Sequence, residues 1–102
     1  MTKAEEKFER EMLDHAAAWE AFGANAARFL KQAQQHGALS AVRETIRRRR
    51  VSDGFDKLRA AGRLDLTPEA AVVSKQYAAL FTDEEVDFCL EVLLECGYFG
   101  YR

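Results

Sequence analysis

The chain has 102 residues, 48% of them hydrophobic and 31% charged, with one proline, six glycines and a net charge of −2. That length supports one core and a single helical domain over 1–102, and the apolar content is too high for a disordered chain. Its apolar runs are short and its first residues, Met1 to Glu6, are charged, which argues against a membrane span or a secretory signal and makes the cytoplasm the expected location.

Thr2 and Glu5 have the spacing of a capping box, which opens a helix. Behind it Phe8, Met12, His15, Trp19, Phe22, Ala26, Phe29 and Ala33 recur every three or four residues, a heptad seam. A straight helix over 3–36 is about 50 Å long, while a domain of this size is about 33 Å across. The helix therefore either overhangs its domain or bends, and Gly23, followed by Asn25, is the place for a bend. Overhang exposes the aromatic seam, so Phe8, Met12, Trp19, Phe22 and Phe29 are the expected interface of a homodimer. The competing reading makes the same stripe the face on which the other helices pack. Gly37 is the natural stop.

Residues 40–50 form the next expected helix, with Leu39, Val42 and Ile46 on one side and Glu44 four residues before Arg48. The apolar face changes direction near Ser52, Asp53 and Gly54. A kink or short turn is expected there, with Ser52 or Asp53 capping a brief helix that ends at Gly62. Leu64 to Leu66 reads as an extended link. Thr67-Pro68-Glu69 is a strong helix start, with a capping hydroxyl, proline at the first position and an acid beside the positive end of the dipole. That helix is expected to break at Ser74 and resume through Tyr77, Leu80 and Phe81. Thr82 and Glu85 make a second capping box, opening a helix with Val86, Cys89, Leu90 and Leu93 inward. Gly97 closes it before an aromatic tail, Tyr98 to Arg102. The fold class is all-α, a compact bundle of about five helices. The rhythm from Thr67 onward resembles the end of a winged-helix domain, and the resemblance implies a helix-turn-helix-like C-terminal part. The second helix of that pair carries Glu84, Asp87, Glu91 and Glu95, which repel phosphates, so it is expected to face protein.

Charge is distributed in blocks. Residues 1–36 carry five Lys/Arg and six Asp/Glu, 37–66 carry eight and four, and 67–102 carry two and seven. Arg47, Arg48, Arg49 and Arg50 are consecutive, and Arg43, Arg47 and Arg50 share one face of a continuous helix. A run of like charge repels itself unless it is solvated, paired or matched by a partner. Arg43, Arg47, Arg48 and Arg50 are therefore the candidate phosphate contacts of a nucleic-acid-binding face, since phosphate contacts add along a row. The alternative is a solvated face paired with Glu44, Asp53, Asp56 or acids elsewhere. No aromatic residue interleaves the run, and the pI near 5.7 is low for a dedicated nucleic-acid domain.

Catalytic signals are sparse. Glu11 and His15 at i, i+4 supply two of the ligands a metal needs, without HExxH or paired ExxH patterns around them. Cys89 and Cys96 lie about 10 Å apart along a helix, too far for a disulfide or a shared metal, and fit a reducing compartment. No glycine-rich phosphate loop or nucleophile elbow is present. The sequence therefore reads as a non-catalytic interaction or regulatory protein without a cofactor, associating with itself or an unidentified protein partner. Nucleic-acid binding through the arginine face is the alternative.

Overall fold

The computed structural model describes residues 2–98, all helix, turn and loop, with no strand among them. The α-helices are α1 (Lys3–Trp19), α2 (Ala27–His36), α3 (Ala38–Arg47), α4 (Phe55–Ala60), α5 (Pro68–Val72) and α6 (Asp83–Glu95). Single 3₁₀ turns stand at Glu20–Phe22, Leu64–Leu66 and Ala78–Leu80. The aromatic tail beyond Tyr98, with Phe99 and Tyr101, lies outside the described residues.

Both capping boxes form. The Thr2 hydroxyl accepts from the Glu5 amide at 3.1 Å while the Glu5 carboxylate accepts from the Thr2 amide at 2.8 Å. Thr82 and Glu85 repeat the arrangement at 3.2 and 2.8 Å. The bend falls at Gly23. Helix α1 tightens into its 3₁₀ turn, Gly23 takes φ 84°, its amide bonds the Glu20 carbonyl, and the Ala24 amide bonds that of Trp19. This 6→1 and 5→2 pair is a Schellman ending, for which a left-handed residue is required. Asn25 then accepts from the Ala27 amide at 2.9 Å, starting α2.

The bend removes the reason to expect an overhang. Within α1 the inward stripe is Phe8, Met12, Ala16 and Trp19, with Ala16 taking the place expected of His15. Phe8 is 0%, Met12 1%, Trp19 1% and Phe29 6% exposed, all inside the chain's own core, and Phe22 packs half-buried at its margin. The seam expected as an interface thus faces the other helices. Phe8 meets Tyr77 and Phe81 edge-on at 5.1 and 5.6 Å, and Trp19 lies on Phe29 at 5.4 Å while its indole N–H donates to the Leu66 carbonyl at 2.9 Å. The longest dimension is 38 Å, below the length of an unbent 3–36 helix.

Gly37, at φ 89°, is the single residue between α2 and α3 and has no side chain to cap α3. Glu9 of α1 does so instead: its two carboxylate oxygens accept from the Ala38 and Leu39 amides at 2.6 and 2.8 Å. The expected cap by Ser52 or Asp53 on α4 is absent; Gly54 holds the N-cap position, and the Ser52 hydroxyl is engaged with Glu69. Leu64–Leu66 is a 3₁₀ turn, not the expected extended link: the Leu66 and Thr67 amides bond the Arg63 and Leu64 carbonyls at 3.1 and 3.0 Å, with Leu64 and Leu66 both buried. Thr67 caps α5 as expected, and the helix breaks before Ser74, whose hydroxyl bonds the Ala71 carbonyl at 2.8 Å. In α6 the buried face is Glu85, Cys89 and Leu93, with Leu90 at 36% exposed on the outer side. The two capped helices of the helix-turn-helix-like part pack together, joined by residues 73–82 where that motif has a three- or four-residue turn.

Candidate functional site

The arginine run does not continue α3. Arg49 has φ 57°, its amide bonds the Ile46 carbonyl at 2.9 Å, and the Arg50 amide reaches Thr45 at 3.2 Å. This is the same ending as at Gly23, with arginine in the left-handed position that glycine normally fills. The helix therefore stops at Arg47, and Arg50 leaves the face that Arg43 and Arg47 share.

The four expected phosphate contacts consequently have different surroundings. Arg43 turns to α6, where its Nε meets Glu85 Oε2 at 3.2 Å, and Glu85 itself is 7% exposed. Arg48 pairs with Glu44 at 3.1 Å, the expected i, i+4 contact. Arg47 and Arg50 are exposed and have no ion pair among the described residues. Arg49, next to them, lies over the Phe88 ring of α6 at 5.7 Å. The acidic start of α6 thus occupies one side of the run and leaves a basic corner on the other.

That corner opens into a cleft of about 170 Å³. Arg28, Arg48 and Arg50 stand around it, Phe29, Val42, Ile46, Val51 and Pro68 form apolar walls, and Glu69 and Cys89 lie at its inner end. Arg28 reaches Asp53 at 3.8 Å across the mouth. Glu69 is 2% exposed and is held by Ser52, whose amide and hydroxyl donate to its two oxygens at 2.7 and 2.9 Å. Burial pushes the Glu69 carboxyl above its ordinary range, opposed by those hydrogen bonds. Burial, and then the nearby carboxylates of Glu69 and Glu85, push the Cys89 thiol up, so it has no thiolate character at neutral pH. The cleft has room for one compact group of about benzene size, with Arg28 and Arg48 paired to Asp53 and Glu44 around it and Arg50 left without an ion pair among the described residues.

The sequence pointed to the arginines and missed what stands behind them. Ser52 and Glu69 are 17 residues apart, and Glu69 reads locally as nothing more than a first-turn acid. No group of three or more His, Cys, Asp or Glu side chains among the described residues is placed to hold a metal ion. No described helix is long and apolar enough to cross a membrane. No protein-family model, curated protein or solved structure matches the chain.

Proposed function

We propose that this is a non-catalytic interaction protein whose basic corner docks an acidic, amphipathic segment of a partner protein. The observation that carries the reading is Arg50, exposed and without an ion pair among the described residues, at a cleft with apolar walls that Arg28 and Arg48 also line, with exposed Arg47 three residues before it. Arginine charge steers an acidic segment and sets its orientation, while one apolar side chain entering the cleft supplies desolvated contact area. A second copy of the chain is one source of such a segment, since α6 exposes Leu90 and Leu94 beside Asp87, Glu91 and Glu95. Self-association by that route uses the outer face of α6 and leaves the Phe8–Phe29 core intact. Sedimentation of the protein alone tests it: a concentration-dependent dimer lost in Arg47→Gln/Arg50→Gln supports it, and a monomer throughout leaves the partner to be a different protein.

Nucleic-acid binding is the second reading, favoured by the exposure of Arg47 and Arg50. Against it, Arg43 is tied to Glu85, and Glu84 and Glu85 line the groove that holds Arg47 and Arg49. Two free arginines make a short row for a phosphate backbone, and the adjoining acids repel it. Salt-dependent binding of short duplex DNA or single-stranded RNA that vanishes in the Arg47/Arg50 variant would move this reading to first place.

A further inference from the structure

The cleft of about 170 Å³ beneath the arginine corner has charged groups at both ends and apolar side chains between them. Its charges do not all cancel in pairs. Arg28 meets Asp53 at 3.8 Å, and Arg48 meets Glu44 at 3.1 Å. That leaves Arg50 at the exposed end, without an ion pair among the described residues, and Glu69 at the buried end, where it is 2% exposed. Glu69 is held by Ser52, whose amide and hydroxyl donate at 2.7 and 2.9 Å, and not by a cation.

Ser52 occupies one lone pair on each Glu69 oxygen, and a carboxylate oxygen has a second to offer, so Glu69 keeps acceptor capacity. The two leftover groups are therefore unlike: a cation at the water side and a carboxyl group at the interior side. Phe29, Val42, Ile46 and Val51 line the space between them. Water suits Arg50 and leaves those walls unmatched. A molecule that suits both ends and the walls has an anion at one end, a hydroxyl at the other and a compact apolar body between. A rigid ring serves as that body, because it holds its two ends apart without losing internal rotations on binding, and a cavity of about this volume admits benzene.

We propose that this cleft binds a small hydroxyaromatic carboxylate, with its carboxylate on Arg50, its ring between the apolar walls and its hydroxyl on Glu69. The guanidinium fork of arginine matches the planar carboxylate. A phenolic hydroxyl both donates and accepts, so it satisfies Glu69 whether that group is ionised or protonated. An ammonium in place of the carboxylate would face Arg50 and be repelled. The site overlaps the surface proposed to dock an acidic segment, so the small molecule and the segment are expected to compete. The inference rests on the cleft and stands whether or not a protein docks there.

The test is a methyl NMR titration at about pH 7, where a carboxylic acid is ionised, using para-hydroxybenzoate, benzoate and phenol as probes. Ile46 is the chain's single isoleucine and lines the cleft, so its methyl signals report occupancy, and the Met12 methyl, buried elsewhere in the core, is the control. Para-hydroxybenzoate is expected to saturate at about 0.1–1 mM, the range open to a ligand of so few atoms, and to shift Ile46 and not Met12. Benzoate lacks the group for Glu69 and phenol the group for Arg50, so each is expected to bind about tenfold more weakly. Arg50→Gln is expected to weaken para-hydroxybenzoate about tenfold and leave phenol unchanged. Trp19 fluorescence without probe confirms that the variant is folded. No Ile46 shift with para-hydroxybenzoate up to about 10 mM would overturn the proposal. So would equal binding of benzoate, or binding that survives Arg50→Gln undiminished. A peptide copying residues 83–97 separates this inference from the docking reading. Peptide binding that needs Arg47 and Arg50, with no shift from para-hydroxybenzoate, would sink the small ligand alone; the converse would support it and sink docking of that segment alone.

Discussion

Replacing Gly54 by alanine tests how tightly the core around Trp19 is packed. A Cβ at that position would stand 2.9 Å from Trp19 Cε3, 3.0 Å from Ala24 Cβ and 3.1 Å from Trp19 Cδ2. Carbon atoms in ordinary contact are about 3.5–4.0 Å apart. The ring has little freedom to yield, since it is 1% exposed, bonded to the Leu66 carbonyl at 2.9 Å and stacked on Phe29. Backbone or neighbouring helices must shift instead, and forcing one carbon into a packed core costs about 1–3 kcal/mol. Gly54 has φ −92° and ψ 2°, which alanine adopts without strain, so the loss of unfolded-state freedom returns about 0.4–1 kcal/mol. The net expectation is destabilisation by about 1.5 kcal/mol, or roughly 6–12 °C in Tm for a domain of this size. Urea unfolding followed by the single tryptophan measures it directly. Repeating Gly54→Ala in a Trp19→Phe background, with unfolding followed there by circular dichroism, removes the Cε3 contact, the shortest of the three, and part of the cost is expected to disappear. An unchanged midpoint for Gly54→Ala, or an equal cost in both backgrounds, would refute the packing argument.

Three further expectations concern single side chains. Glu9→Ala leaves the Ala38 and Leu39 amides uncapped and is expected to cost about 1–2 kcal/mol by thermal or urea unfolding, with Glu9→Gln losing less because one acceptor remains; no change would mean that Glu9 does not cap α3. At Arg49, glycine is expected to give a protein about 1 kcal/mol more stable than alanine does, since both lose the contact with Phe88 and only glycine relaxes φ 57°; equal stability would contradict the left-handed turn. Glu69→Gln keeps both contacts with Ser52, one of them reversed: the amide donates to the hydroxyl, while the backbone N–H still donates to the remaining carbonyl. Because burial raises the folded carboxyl above the ordinary 4.5, its contribution is fully present below that value and is lost as pH rises through the folded pKa. The variant is therefore expected to gain on the native protein as pH increases above about 4.5, and a constant difference from acid to neutral pH would contradict the assignment.

Local signals were legible in the sequence and long-range ones were not. Thr2 with Glu5, Thr82 with Glu85, and Thr67 before Pro68 each exchange hydrogen bonds within three residues, so their spacing reveals them. Gly23 was readable as the place for a bend, though not that the chain bends rather than overhangs, because a left-handed residue is needed there and glycine is its usual occupant. The end of α3 escaped the same logic, since Arg49 fills that position with a residue that gives no warning. Projecting the helix through it placed Arg43, Arg47 and Arg50 on one face, whereas the structure divides them between α6 and the cleft. The heptad spacing from Phe8 to Phe29 was equally real, yet a seam says only that a face is covered, and the bend supplies the cover from within the chain. Glu9 on α3, Ser52 on Glu69, and Tyr77 beside Glu11 join residues far apart along the chain. No spacing rule connects such pairs, because only the packing of helices brings them together.

The reading of the basic corner is tested most directly by fluorescence anisotropy with a labelled peptide copying residues 83–97, an acidic amphipathic segment. Short duplex DNA and single-stranded RNA serve as competitors, from about 50 to 200 mM salt, with Arg47→Gln/Arg50→Gln as the control. Peptide binding that weakens with salt, disappears in the variant and withstands the nucleic acids is the expected result. Peptide failing to bind, or nucleic acid binding that persists at the higher salt and requires the two arginines, would contradict it.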